Sequence, residues 1–195
     1  MDTVAWNIIE KYFKNNPNNL VAHHLDSYNN FFSKGIYQIF RENNPIRFIE
    51  RDDDKQTDQD APTNKSRNEC FIYCGGKTGN DIYFGKPIIY DDINSEGVFD
   101  PYPHYMYPND ARLRNMTYGI TIHYDLEVDF MSYDSTGKQT ELTKKFERIY
   151  LGKFPIMINS NMCILSGLSP EVKFNKGECR NDPGGYFIIN GKEKA

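Results

Sequence analysis

The stretch 117-TYGITIHYDLEVDFMSYD-134 decides the fold. It is rich in β-branched and aromatic residues, it alternates over much of its length, and it contains neither proline nor an internal turn signal. That pattern predicts a central strand or a bent strand pair. Asp134–Lys138 (DSTGK) then supplies a turn into a following strand. Extended runs of the same character occur at 70–73, 81–90, 118–133, 146–150, 154–158 and 185–190, with Gly, Pro and Asn between them. The body of the chain is therefore a sheet.

Upstream the period changes. Val4, Ile8, Ile9, Tyr12 and Phe13 fall at helical spacing over residues 3–14, with Asp2 or Thr3 as N-cap. Pro17 interrupts the pattern. A second helix is predicted from Leu20 to Phe40, carrying Leu25, Tyr28, Phe31, Phe32 and Ile36, with Gly35 placed to kink it and Asn43-Asn44-Pro45 ending it. The expected fold class is α+β: N-terminal helices over 1–45 packed on a mixed, mostly antiparallel sheet over 46–195.

The last residues carry an expectation about completeness. Asn190-Gly191 after the strand Tyr186–Ile189 is a strong two-residue hairpin signal, and a return strand should begin near Glu193. Only two residues follow. A hairpin without its second strand leaves an unpaired edge, so the pattern suggests a fragment or a product that pairs with a separate continuation.

The formal net charge is −4, and residues 50–60 (ERDDDKQTDQD) hold six acids against Arg51 and Lys55, so the acidity belongs to one solvated loop. No run long enough to span a bilayer occurs, and MDTVAWNIIEKYFK lacks the build of a secretory signal, so an intracellular protein without a membrane partner is expected. The four cysteines, at 70, 74, 163 and 179, form no paired knuckles and read as free thiols. Cys70 and Cys74 would supply only two ligands of a zinc site.

Two other motifs are set aside. Gly75-Gly76-Lys77-Thr78 shares the end of a phosphate-binding loop, but the leading glycine position is Phe71 and the next residues are strand-like. His23 and His24 are helix neighbours, expected to face different ways and to hold no common metal. No nucleophile stands at motif spacing from a base, so neither a catalytic nor a metal-ligating residue is assigned.

Four ordered blocks carry a resemblance: Leu25-Asp26-Ser27-Tyr28-Asn29-Asn30-Phe31-Phe32; Ile82-Tyr83-Phe84-Gly85-Lys86-Pro87; Tyr107-Pro108-Asn109-Asp110-Ala111-Arg112-Leu113-Arg114-Asn115-Met116-Thr117-Tyr118; and Leu151–Met157 through Glu178-Cys179 and Asp182-Pro183-Gly184-Gly185 to Asn190-Gly191-Lys192-Glu193-Lys194. They resemble the N-terminal part of the second-largest, beta-like subunit of multisubunit DNA-directed RNA polymerase in its eukaryotic, archaeal and large-DNA-virus form. The resemblance implies the protrusion domain, one wall of a nucleic-acid cleft, ending at the junction with the lobe. It implies the rest of that subunit and the largest subunit as partners, together with DNA, the RNA–DNA hybrid and initiation factors. It also implies a nucleotidyltransferase whose Mg2+ is bound elsewhere, so that this chain alone is inactive and carries no cofactor. High Asn, Lys, Ile and Tyr usage suggests an AT-rich viral genome. A viral chain would work in the virion or host cytoplasm, a cellular one in the nucleus.

Guiding a polyanion needs cations aimed at phosphates. Residues 144–153 sum to +3 and 173–194 to +2. On the resemblance, Lys194 is the first nucleic-acid contact, Lys192 the second, and Lys153 a third. Arg112, Arg114, Asn115, Gly184, Gly185, Asn190 and Gly191 are read as structural, with one arginine stapling the fold through carboxylates or carbonyls. A rival reading is a stand-alone interaction module that binds a protein through its aromatic loop Tyr102–Tyr107.

Overall fold

The computed structural model describes residues 2–16, 18–51, 67–90, 103–133 and 138–195. Most of the acidic run, residues 91–102 and residues 134–137, including most of the predicted DSTGK turn, lie outside these residues. The fold class is α+β, as the sequence predicts, with short helices and a mostly antiparallel sheet. The chain divides into two compact units, one of 1–33, 85–121 and 153–195, the other of 34–84 and 122–152. They are interleaved along the sequence.

Helix α1 (Asp2–Asn15) forms as the spacing predicts, and its apolar side chains, Trp6 at 68% among them, are exposed. The second predicted helix is built in three parts: α2 (Ala22–Asn30), a π-helical turn (Phe31–Gly35) and α3 (Ile36–Asn43). Gly35 keeps regular helical torsions, φ −60° and ψ −46°, so the irregularity is a widened turn in place of the expected glycine kink.

In the first unit, α2 presents Leu25 and the turn presents Phe32 to the core. The Tyr28 hydroxyl donates to Pro155 O at 2.8 Å, and the Asn29 side chain accepts from the Asn161 N–H at 2.9 Å. Tyr118 is wholly buried between two backbone neighbours, donating its N–H to Ile188 O at 3.0 Å and accepting from the Ile156 N–H at 2.9 Å. Its hydroxyl accepts from the Ile164 N–H at 3.1 Å and lies 3.5 Å from Cys163 Sγ. Ile156, Ile158, Leu165 and Ile188 close this core, so Ile156–Ile158 are core residues as expected. Strands β4 (Ile88–Ile89) and β5 (His104–Tyr105) and helices α4 (Pro108–Leu113) and α5 (Pro170–Asn175) complete it, each helix with proline in its first turn, where a missing N–H costs nothing.

The C-terminal hairpin corrects one expectation. Strand β8 (Phe187–Ile189) has its return strand β9 (Lys192–Lys194), in register Phe187↔Lys194, Ile188↔Glu193 and Ile189↔Lys192. Asn190 and Gly191 both take positive φ, 50° and 75°, a tight turn matched to strand twist, so pairing begins at Lys192 and three residues close the ladder.

In the second unit β6 (Gly119–Tyr133) is one continuous strand, most of it in this unit. β2 (Arg67–Cys74) and β3 (Ile82–Phe84) pair with successive parts of it, and the Asp125 backbone bridges the gap by accepting from Gly75 N–H and donating to Asp81 O. β1 (Ile46–Arg51), which the sequence did not announce, pairs with β2, and β7 (Gln139–Pro155) pairs with β6, far longer than the predicted 146–150. Helix α3 sets Phe40 against Tyr124 and Tyr37 against Phe84, with ring centroids 5.6 and 6.4 Å apart.

Candidate nucleic-acid interface

The loop after α4 and the β8–β9 hairpin are built for each other. Asn115 adopts φ 53°, and the Gly191 N–H donates to Met116 O at 2.9 Å. A Cβ on Gly191 would sit 2.8 Å from Asn115 Cα, so the close approach itself requires glycine. The Thr117 hydroxyl donates to Asn190 Oδ1 at 3.3 Å and accepts from the Asn190 N–H at 3.1 Å. The structure thus brings the motif residues Asn115, Asn190 and Gly191 together.

Of the two arginines between which the sequence leaves the stapling role open, Arg112 makes the carboxylate bonds. Its Nη1 donates to both Glu178 carboxylate oxygens at 2.8 and 2.9 Å, Nε to Glu193 Oε1 at 2.8 Å, and Nη2 to the Tyr186 hydroxyl at 2.8 Å. Tyr186 donates onward to Asp182, whose other oxygen accepts from the Gly184 N–H. Burial alone would lower the guanidinium pKa, but the hydrogen bond and charge of Glu178 outweigh it and hold the pKa above its ordinary value. Burial, then the bond to Asp182, raises the Tyr186 phenol. Gly184 and Gly185 both take positive φ, and Gly185 N–H donates to Ile158 O at 3.0 Å. Arg114 is exposed and donates its backbone N–H to Asp110 O.

Sequence reasoning missed Glu178, Tyr186 and Glu193 as the partners of Arg112, and Asp182 as the acceptor behind Tyr186. Their separations of 66 to 81 residues from it follow no local spacing rule. The only available signal was that Glu178, Asp182 and Glu193 fall in the same ordered block.

Lys192 and Lys194 are exposed on one face of β9, two residues apart and so about 7 Å along the strand. Lys153 is exposed on β7. Among the described residues none of these three lysines makes an ion pair. Other cations of the two basic segments are engaged: Lys173 donates to Asn159 Oδ1, Lys176 lies over Tyr107, Arg180 over Phe174, and Lys145 pairs with Glu127. The 144–153 segment is divided between the units.

Lys77 of the GKT sequence lies 3.0 Å from Asp129 and 3.4 Å from Glu127, so carboxylates take the place a phosphate would need. The hydrogen bond to Asp129 comes first among the causes that raise its pKa. His23 and His24 depart from expectation: their rings approach to 4.0 Å between centroids, because side-chain torsions swing neighbouring imidazoles together despite the angle between their Cα positions. Among the described residues no three His, Cys, Asp or Glu side chains gather as a metal site, and no helix is long and apolar enough to cross a membrane. All four cysteines are free. In the aromatic loop, Tyr102 lies outside the described residues, Met106 is buried and Tyr107 is taken by Lys176.

Residues 19–195 match the family model described as RNA polymerase beta subunit. The chain is 34% identical over 195 residues to DNA-directed RNA polymerase subunit Rpo2N of Methanothermobacter thermautotrophicus, covering all of this chain and 30% of that protein. It is 31% identical over 191 residues to DNA-directed RNA polymerase II subunit 2 of Arabidopsis thaliana, covering 98% of this chain and 15% of the relative. For RPB2 of Schizosaccharomyces pombe the figures are 28% over 199 residues, 98% and 15%. The chain therefore spans a third or less of the relatives it resembles. With the motif residues joined in one hairpin dock and the match running from residue 19 to residue 195, the chain belongs to the RNA polymerase beta subunit family.

Proposed function

We propose that this chain is the N-terminal, protrusion part of the second-largest subunit of a DNA-directed RNA polymerase, forming one wall of the cleft that guides DNA and the RNA–DNA hybrid. The family match over 19–195 carries the reading. Lys153, Lys192 and Lys194, exposed and without an ion pair among the described residues, support the guiding role, since sequence-independent hold on a polyanion works through cations that release its counterions. The remainder of the subunit, the largest subunit and initiation factors are the proposed partners. Composition extends the proposal to a large DNA virus as source.

Nucleotidyl transfer needs Mg2+, proposed to be bound by other parts of the assembled enzyme, and the described residues offer no cluster that fits such an ion. This chain's own part is to hold and orient nucleic acid. The chain alone is expected to extend no RNA primer. In the assembled polymerase, Lys192→Ala with Lys194→Ala should weaken retention of an RNA–DNA hybrid scaffold and reduce the slope of log affinity against log salt by about 1 to 2. An unchanged slope and affinity would overturn the guiding role.

A further inference from the structure

We propose that Arg112, acting through Glu193, is a positioning residue that fixes the direction in which Lys192 and Lys194 meet a nucleic-acid backbone. The inference rests on the reading of those two lysines as a polyanion contact.

Side chains alternate along a strand, and residues paired across an antiparallel ladder share a face. Glu193 pairs with Ile188, which is fully buried, so Glu193 turns toward the body of the unit. Lys192 and Lys194 pair with Ile189 and Phe187 and share the opposite face. The rotation of β9 about its own axis therefore sets where both ammonium groups point.

Little else holds that rotation. β8 is anchored by the Tyr118 N–H on Ile188 O, and the turn by Met116 and Thr117, but among the described residues β9 has only three ladder pairs and the Glu193 bond to Arg112. An exposed ion pair usually orders little, since two long side chains must be fixed at once. Here the guanidinium is already fixed by Glu178 and Tyr186, so only the Glu193 side chain remains to be ordered.

Charge alone and positioning predict opposite results for Glu193→Gln. Removing a negative charge between two lysines should tighten polyanion binding by simple electrostatics. Loss of positioning should loosen it. The experiment uses polymerase assembled with this chain and an RNA–DNA hybrid scaffold as probe, titrated from low to high salt. Glu193→Gln is expected to weaken binding about threefold at low salt and to shrink the salt slope by about 0.7 to 0.9, the equivalent of one lost phosphate contact. Glu193→Asp keeps the charge but shortens the reach, and should weaken binding in the same direction. Because the Glu193 side chain is 56% exposed, the Tm of both variants should stay near that of the parent. Unchanged or tighter binding in both, while the Lys192→Ala and Lys194→Ala pair weakens it, overturns the positioning role and leaves the guiding role standing. No effect from the lysine pair removes both.

Discussion

Gly184 and Gly167 offer a matched pair for weighing backbone strain against steric contact. Both sit at positive φ, 75° and 76°. A Cβ added at Gly167 meets nothing within 4 Å, whereas one at Gly184 falls 2.4 Å from Ile158 O and 2.7 Å from Asn159 Cβ. Alanine at either site pays for the left-handed conformation, about 1 to 2 kcal/mol, offset by about 0.4 to 1 kcal/mol from the smaller unfolded-state entropy. Gly167→Ala should therefore cost about 1 kcal/mol or less. At Gly184 the overlap is with backbone that cannot step aside, since Ile158 N–H donates to Tyr186 O at 2.9 Å and Ile158 O accepts from the Gly185 N–H at 3.0 Å. Overpacking of that kind adds about 1 to 3 kcal/mol, so Gly184→Ala should cost about 3 kcal/mol in all. Urea unfolding of the 195-residue chain, with equal m-values required of both variants, measures the difference. If the two alanines destabilise equally, the contact with Ile158 is not what demands glycine, and the reasoning fails.

Arg112→Met removes the partner of Glu178, whose side chain is only 4% exposed, and should destabilise the chain by about 3 kcal/mol in the same denaturation assay, with Glu178→Gln added to Arg112→Met recovering part of the loss. Tyr28, Tyr118 and Tyr186 are held above the ordinary phenol pKa, in each case chiefly by burial. The unfolded chain gives up those protons near pH 10 while the folded chain keeps them, so their contribution is whole below about pH 10 and is lost as pH rises beyond it. Absorbance titration of the tyrosines should show a group that ionises only together with loss of the near-UV circular dichroism signal; smooth ionisation of all fourteen before unfolding would contradict this.

What was legible in the sequence was whatever local chemistry dictates. Gly119–Tyr133 declared itself because Ile, Val and aromatic residues recur without a breaker, and Leu25, Tyr28 and Phe32 kept helical spacing through the π turn. β1 was hidden because Ile46–Arg51 is short and runs into the acidic segment. The first half of β7, QTELTKK, carries the polar, lysine-bearing sequence that keeps an exposed strand from pairing with strangers, so it does not look like a strand. β9 is Lys-Glu-Lys, whose extended form comes from its partner strand and turn. At the candidate interface the sequence narrowed the stapling role to Arg112 or Arg114, but it could not show the carboxylates that hold Arg112, because only the tertiary fold brings Glu178 and Glu193 to it.

The interleaving of the two units bears on how the chain is made. Its path crosses from one to the other four times, at 33–34, 84–85, 121–122 and 152–153. A ribosome delivers every residue of the 34–84 and 122–152 unit before it has delivered the 153–195 portion of its companion. The later unit must wait for Ile156, Leu165 and Ile188 to emerge before Tyr118 finds its cover. Nascent chains arrested before that point would carry an uncovered apolar surface, a natural target for chaperones and proteases during synthesis.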